Sequence, residues 1–368
     1  MIAPVALPPA PAIVQPAAHE ASFGLVSGTV AAGTVRISVH ADGRLLAERP
    51  LRGRRFSLRV ELPPRDTTVR VTAVDARGVR RTSSVGPVFG LPPGARPRIA
   101  APRQDPALAG SVRRLVRGYA GVSGVYVASL TSGGGASWNA GARFPAASTL
   151  KVAIAVAVLR AHAGLPPPGS RVDVLLRAML LQSGNRAANE LEVWLGGSTS
   201  GGSHVVNETV WAIGLRETLM YGGYEVERLT QAPIPIRVEH QPSFGVGKYT
   251  TAADLARLAR AVWLAAGGLG PLVRTFPGAF TPSDARYLLR LLALVHDPGK
   301  LDRFLPAGDL LLHKAGWLAT ARHDVGLVLW EGGAVVASVM TWSPSGVGRG
   351  SDVLAGKVAR AARDRFAG

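Results

Sequence analysis

Between residues 20 and 90, apolar and polar positions alternate. Val35, Ile37 and Val39 interleave with Arg36, Ser38 and His40, Phe56, Leu58 and Val60 with Ser57 and Arg59, and Val69, Val71 and Ala73 with Arg70 and Thr72. A period of two with one apolar side predicts half-buried antiparallel strands. The turn sequences Ala41-Asp42-Gly43, Pro63-Pro64-Arg65-Asp66 and Ala76-Arg77-Gly78 separate them. Strands at this spacing predict a small all-β sandwich. Residues 91–106 are dense in proline and lose the periodicity, which predicts a linker of limited flexibility. From 107 to 368 the pattern changes. A short basic helix over Val112 to Tyr119 precedes a hairpin made by Gly124 to Leu130 and the stretch around Trp138. Helices are expected at 149–163, 171–181 and 185–195, and from Ala252 to Ala265 behind a Thr250-Thr251 cap. Apolar strands at Val325 to Trp330 and Val335 to Trp342 and a helix at 351–366 follow. Strands at both ends with helices between predict an α/β (α+β) domain, an antiparallel sheet flanked by helices.

With 368 residues, 47% of them hydrophobic, the chain is long enough for two domains, one of them large. Lys and Arg number 42 against 24 Asp and Glu, a net charge of +18. Such an excess raises nucleic acid as a partner. Zinc-ligand spacing, a basic zipper helix and an aromatic RNA-binding signature are all missing, so no nucleic acid is expected. The excess reads first as a solvated Arg-rich surface and second as a surface for an anionic cell-wall polymer. The lack of cysteine excludes disulfides, a thiol nucleophile and Cys-ligated metal. The eight His are dispersed without H-x-x-x-H or H-E-x-x-H spacing, and no metal or other cofactor is expected. Gly196-Gly197 and Gly201-Gly202 flank a Ser/Thr run with no Lys after it, which reads as a flexible loop and not a phosphate cradle. Residues 1–19 lack the basic start and unbroken apolar stretch of a signal peptide, and are expected to be a tail or the remnant of a leader. The most apolar helical run, Leu150 to Leu159, is far shorter than the ~20 residues a bilayer requires, so no transmembrane segment is expected.

The chemistry centres on Ser148-Thr149-Leu150-Lys151. A serine hydroxyl needs a base beside it to act as a nucleophile. Residues three apart on a helix share a face, so Lys151 lies one turn from Ser148. A helix N-terminus favours the anion that forms there, and burial would lower the lysine pKa toward a useful value. Alone, S-x-x-K is also what chance places on many helices. Its context is more specific. A strand pair, Gly124 to Leu130 and Trp138 to Gly141, leads into Phe144-Pro145-Ala146-Ala147-Ser148-Thr149-Leu150-Lys151. Strand, turn and F-P-x-x-S-T-x-K resemble the nucleophile region of class A β-lactamases and their penicillin-binding relatives. Two further elements of that family follow in order. Ser183-Gly184-Asn185, continued by Arg186-Ala187-Ala188-Asn189-Glu190-Leu191, is similar to S-D-N-x-A-A-N-x-L, with Gly184 in place of Asp. Lys314-Ala315-Gly316 is similar to K-T-G, and Thr320 to Val325 resembles the T-R-N-D-I run that leads into the next strand.

The resemblance covers residues 107–368 and implies roles. Ser148 is the nucleophile and Lys151 its base. Ser183 relays a proton to the leaving nitrogen, Asn185 binds the substrate amide, and Asn189 is structural. Lys314 supplies positive charge and Gly316 lets substrate approach the strand. The Trp317 and Ser148 N–H groups form an oxyanion hole, and Arg322 helps hold a substrate carboxylate in place of the hydroxyl that Ala315 lacks. The family's deacylating Glu has no E-x-x-x-N match here. Glu225 is the best positional candidate, Glu227 the second and Glu239 a third, each also readable as a solvated loop carboxylate. Residues 20–90 are similar in length and pattern to bacterial immunoglobulin-like modules. Three functional readings stay open. The first is a hydrolase acylated by a β-lactam or related amide. The second is a carboxypeptidase or transpeptidase acting on D-Ala-D-Ala stem peptides of peptidoglycan. The third is a non-catalytic wall-binding relative. The family's substrates imply a secreted, cell-wall or periplasmic location.

Overall fold

The computed structural model describes residues 8–226, 232–239 and 241–367. Two compact units divide the chain, Met1–Arg96 and Pro97–Gly368.

The first unit is built of β1 (Ala12–Gln15), β2 (Glu20–Ser22), β3 (Leu25–Thr29), β4 (Thr34–Ala41), β5 (Arg44–Pro50), β6 (Arg55–Arg59), β7 (Asp66–Asp75) and β8 (Arg80–Gly90). Among the described residues they form a three-stranded sheet, β1-β3-β6, and a five-stranded sheet, β2-β8-β7-β4-β5. The two sheets share one apolar core, to which Val26 and Phe56 contribute from the first and Ile37, Val39, Val69 and Val71 from the second. The alternation read from the sequence fails at two positions of β4, where Ser38 is buried and Val35 is exposed. Val35 is 45% exposed, because the β4–β7 register shifts between Thr34 and Arg36 and the extra residue falls outside the pleat. The stretch expected as a linker is partly structured. Leu91 is buried in the first unit, whereas the Ala100 carbonyl accepts a hydrogen bond from Arg260 in the second.

The second unit contains β9 (Arg103–Gln104), α1 (Pro106–Arg117), β10 (Val122–Ser129), β11 (Gly134–Trp138), β12 (Phe144–Pro145), α2 (Lys151–Ala161), α3 (Arg171–Leu181), α4 (Asn185–Gly196), α5 (Thr199–Ala212), β13 (Tyr249–Thr250), α6 (Ala252–Ala266), α7 (Gly270–Thr275), α8 (Pro282–Ala293), β14 (Leu310–Trp317), β15 (Ala321–Trp330), β16 (Gly333–Trp342) and α9 (Arg349–Phe366). The main sheet runs β14-β15-β16-β10-β11-β9. It is antiparallel except where β9 joins β11. On one face, Val127, Val328, Trp330 and Val339 meet Leu108 and Val112 of α1 and Leu354 and Val358 of α9. On the other, α6 crosses β10, β15 and β16, and α8 lies on β14. Helix α2 runs through the helical layer, with every residue from Lys151 to Leu159 buried. The Gly-rich stretch expected as a loop is instead the start of α5. A Cβ at Gly201 would lie 2.2 Å from the Gly196 carbonyl oxygen, and one at Gly202 2.2 Å from that of Glu192. The glycines let α4 and α5 touch backbone to backbone, a tertiary demand that outweighs their low helix propensity. No helix among the described residues is long and apolar enough to cross a membrane.

Candidate active site

Strand β12 ends at Pro145, the Ala146 N–H bonds the Lys248 carbonyl, and Ala147 then takes a φ of 49°. Residues Ala147–Leu150 form a 3-10 turn, so Ser148 precedes α2 and Lys151 opens it. The turn presses against β14: a Cβ on Gly316 would lie 2.7 Å from the Ser148 nitrogen and 2.9 Å from that of Thr149. The close approach read at Gly316 as room for substrate is thus already used by the protein's own backbone. His323 braces the turn from the sheet. Its Nε2 lies 2.7 Å from the Pro145 carbonyl, and the Thr341 N–H donates to its Nδ1 at 3.2 Å. A carbonyl can only accept, so the ring is the neutral Nε2–H tautomer; burial agrees, pulling its pKa down to about 4.

The Lys151 side chain is fully buried. Its Nζ reaches the Ser183 carbonyl and Asn185 Oδ1 at 2.6 Å each, Ser148 Oγ at 3.1 Å and Ser183 Oγ at 3.4 Å. Burial, then the nearby Lys314 charge, pull its pKa down to about 7, against the opposing pull of Glu225 and Glu192. The geometry explains what the neutral amine does. Two of its neighbours are acceptors only, and they take its two N–H groups. The lone pair is left for the Ser148 hydroxyl, the arrangement a general base requires.

Ser183 turns the chain from α3 into α4 with a φ of 55°, and Asn185 is the first residue of α4. At Gly184, where the resembling pattern has Asp, a Cβ would lie 3.2 Å from the Ala178 carbonyl oxygen. One turn into α4, Asn189 grips the backbone of Tyr224. Its Oδ1 accepts the Tyr224 N–H at 2.6 Å and its Nδ2 donates to the Tyr224 carbonyl at 2.9 Å. Asn207 of α5 holds Met220 in the same two-point way, at 2.8 and 3.0 Å. The clamped loop carries Glu225, at a φ of 63°, to the wall of the cavity that holds Ser148. Ala147, Ser183 and Glu225 all sit in the left-handed region, which costs a non-glycine residue about 1–3 kcal/mol and persists only where the surroundings enforce it. The cavity measures about 270 Å³. Ser148, Asn185, Tyr224, Glu225, Val246, Lys248, Trp317 and Leu318 line it. Glu239 is exposed and outside this lining, and Glu227 lies outside the described residues.

The strand edge bears the remaining expected residues. Leu318 and Ala321 exchange both backbone hydrogen bonds. By antiparallel alternation the next pair, Trp317 and Arg322, is the unbonded one, so the Trp317 N–H points away from β15 at the edge of the sheet. The Ser148 N–H, second in its turn, has no acceptor within that turn. Lys314 is only 3% exposed and donates to the carbonyl of Ala315, and burial draws its pKa down to about 8. Arg322 does not reach the cavity. The strand pairing puts it on the face shared with Val328 and Trp330, which α1 and α9 cover, and its Nε donates to Asp352 of α9 at 2.6 Å. The expected role in holding a substrate carboxylate is therefore not supported: the opposite face of the sheet carries the nucleophile turn.

Lys248 had no role in the sequence reading. Tyr224 is buried, which pushes its pKa well above the ordinary value, and its ring lies 4.5 Å from Lys151 Nζ and 4.8 Å from Lys248 Nζ. Lys248 also donates to the Gly223 carbonyl at 2.7 Å. A lysine just before a helix-capping Thr pair was the signal available, and it is a weak one.

The model of the beta-lactamase enzyme family matches residues 107–164 and 166–366. No curated protein matches the chain. Among solved structures, PBP-A is 22% identical with a TM-score of 0.57, the match covering 73% of this chain and 99% of that one. A variant of PBP-A solved as its acyl-enzyme complex with penicillin G gives the same values. A β-lactamase from Sphaerobacter thermophilus is 19% identical with a TM-score of 0.53, covering 71% of this chain and 97% of its own. These likenesses establish the fold. With the family match running unbroken from the residues after Leu165 through the strand edge and spanning the nucleophile turn before it, the chain belongs to the beta-lactamase enzyme family, as a serine hydrolase resembling class A β-lactamases.

Proposed function

We propose that Ser148 is acylated by a β-lactam or related amide and that Glu225 directs the water that frees the product. Neutral Lys151 takes the hydroxyl proton as Oγ attacks the carbonyl carbon. The N–H groups of Ser148 and Trp317 hold the oxyanion. As the C–N bond breaks, the proton passes from Lys151 through the Ser183 hydroxyl to the leaving nitrogen, and an ester remains on Ser148. Glu225 then takes a proton from water as its oxygen attacks the ester carbonyl, and returns it to Ser148 Oγ as the acyl C–O bond breaks, which frees the acid and regenerates the serine. The observation that carries this reading is the 3.1 Å approach of Lys151 Nζ to Ser148 Oγ, with acceptor-only partners at 2.6 Å on its other contacts. The PBP-A variant's acyl-enzyme with penicillin G is consistent chemistry on a similar fold. Intact-mass spectrometry after exposure to benzylpenicillin should find one adduct, absent in Ser148→Ala. An adduct that survives the substitution refutes the assignment.

A second reading, a D-Ala-D-Ala carboxypeptidase or transpeptidase, is favoured by one feature. Four residues after Glu225 the sequence has Leu229, where a water-holding Asn would be needed. In that case the penicillin adduct forms and persists. The first unit we read as an immunoglobulin-like module. Its 13 Arg against 6 acidic residues suit an anionic wall polymer, which supports reading the enzyme as one that works outside the cytoplasm, secreted or in the cell wall or periplasm.

A further inference from the structure

The resemblance assigns the substrate's carboxylate to three groups on the β14 side of the cavity: the lysine of K-T-G, the hydroxyl after it, and the arginine of the next strand. None of the three is available here. Lys314 is 3% exposed and does not line the cavity. Ala315 has no hydroxyl. Arg322 sits on the far face of the sheet, bound to Asp352. Among the described residues, one basic side chain does line the cavity, and it stands on the opposite wall: Lys248.

We propose that Lys248 is the specificity-determining anchor for a carboxylate on the substrate, so that the anionic end of the ligand lies against the Tyr224 wall and not along β14. The inference rests on the acyl-transfer reading of the same cavity. Its position is fixed at both ends. The Lys248 carbonyl holds the Ala146 N–H at 2.9 Å, two residues before the nucleophile. Its ammonium is held over the Tyr224 ring and by the Gly223 carbonyl. Tyr224 in turn is fixed by Asn189, so the cation is preorganised and not a swinging surface lysine. Val246, Trp317 and Leu318 give the cavity an apolar lining, which strengthens a charge–charge contact inside it. Glu225 on the same wall sets the class of anion. A singly charged carboxylate meets less repulsion from it than a doubly charged phosphate would.

The test separates binding from chemistry. Calorimetric titration in the Ser148→Ala background measures binding of benzylpenicillin and of its uncharged methyl ester. The background enzyme should prefer the free acid. Adding Lys248→Met should weaken the acid by roughly 10- to 100-fold and leave the ester unchanged, Lys248→Arg should keep the preference, and Lys314→Met should keep it too. Loss of preference in Lys314→Met with retention in Lys248→Met overturns the proposal. So does equal weakening of acid and ester in Lys248→Met, or no preference in the background enzyme. Failure of the acyl-transfer reading would look different: wild-type enzyme without a mass adduct, whatever the titrations give.

Discussion

Acylation should follow the protonation of one buried amine. With Lys151 at a pKa of about 7, roughly 1% of it is neutral at pH 5, about half at pH 7 and about 90% at pH 8. The acylation rate constant should therefore climb roughly 50-fold from pH 5 to 7 and less than about twofold beyond. A lysine at its ordinary value would instead give about a tenfold rise per pH unit through pH 9. A falling limb should appear above pH 8 if the Lys314 charge, which is lost around there, assists the reaction. Because Lys314 is one cause of the Lys151 depression, Lys314→Met should move the rising limb to higher pH. Quenched-flow mass spectrometry with benzylpenicillin at a fixed, subsaturating concentration reads all of this. A rise that stays log-linear through pH 9, or a limb indifferent to Lys314→Met, refutes the assignment of Lys151 as base. The same shift bears on stability. The folded pKa lies below the unfolded one, so between about 7 and 10.5 the unfolded chain binds more protons and stability rises with pH. Below 7 both states are protonated and the full penalty stands, on the order of 5 kcal/mol for a shift of this size. The urea midpoint should therefore increase from pH 7 to 9.

Three substitutions probe the rest of the site. Glu225→Gln should leave acylation largely intact and slow deacylation by about 10²–10⁴-fold, so that the adduct accumulates in a time course, while Glu227→Gln changes little; equal rates for all three proteins would move the enzyme to the penicillin-binding reading. Gly316→Ala drives a methyl group into the Ser148 and Thr149 nitrogens, and should cost about 1–3 kcal/mol of stability together with most of the acylation rate, measured by urea denaturation and adduct formation; a stable, fully active variant would show that the contact is slack.

The nucleophile and its base were legible because their relation is local. Ser148 and Lys151 share one turn, and a spacing of three suffices to place them. The A-A-N run was legible for the same reason. Arg322 was not, and the cause is specific. From His323 to Trp330 the strand is buried on both faces, so no alternation marks which side chain points where. A shift of one residue exchanges the roles of Arg322 and His323, and only the pairing resolves it. Lys248 and Tyr224 reach the site through long-range contacts with Ala146 and Asn189, which no local pattern encodes. Gly201 and Gly202 looked like a loop because the reason for them, the backbone of α4, is absent from their own neighbourhood in the sequence.

The paired grips of Asn189 on Tyr224 and Asn207 on Met220 have a bearing on how this enzyme can change over generations. Each amide presents one donor and one acceptor to the C=O and N–H of a single residue, as a neighbouring strand would. The loop is thus located by its backbone, and the two anchor points are indifferent to which side chains it carries. Mutations between and beyond them can alter the residues that face the cavity, or lengthen the loop, without dislodging the segment from the helices. An enzyme held in this way can try new substrates by drift in its loop while its nucleophile stays where it is.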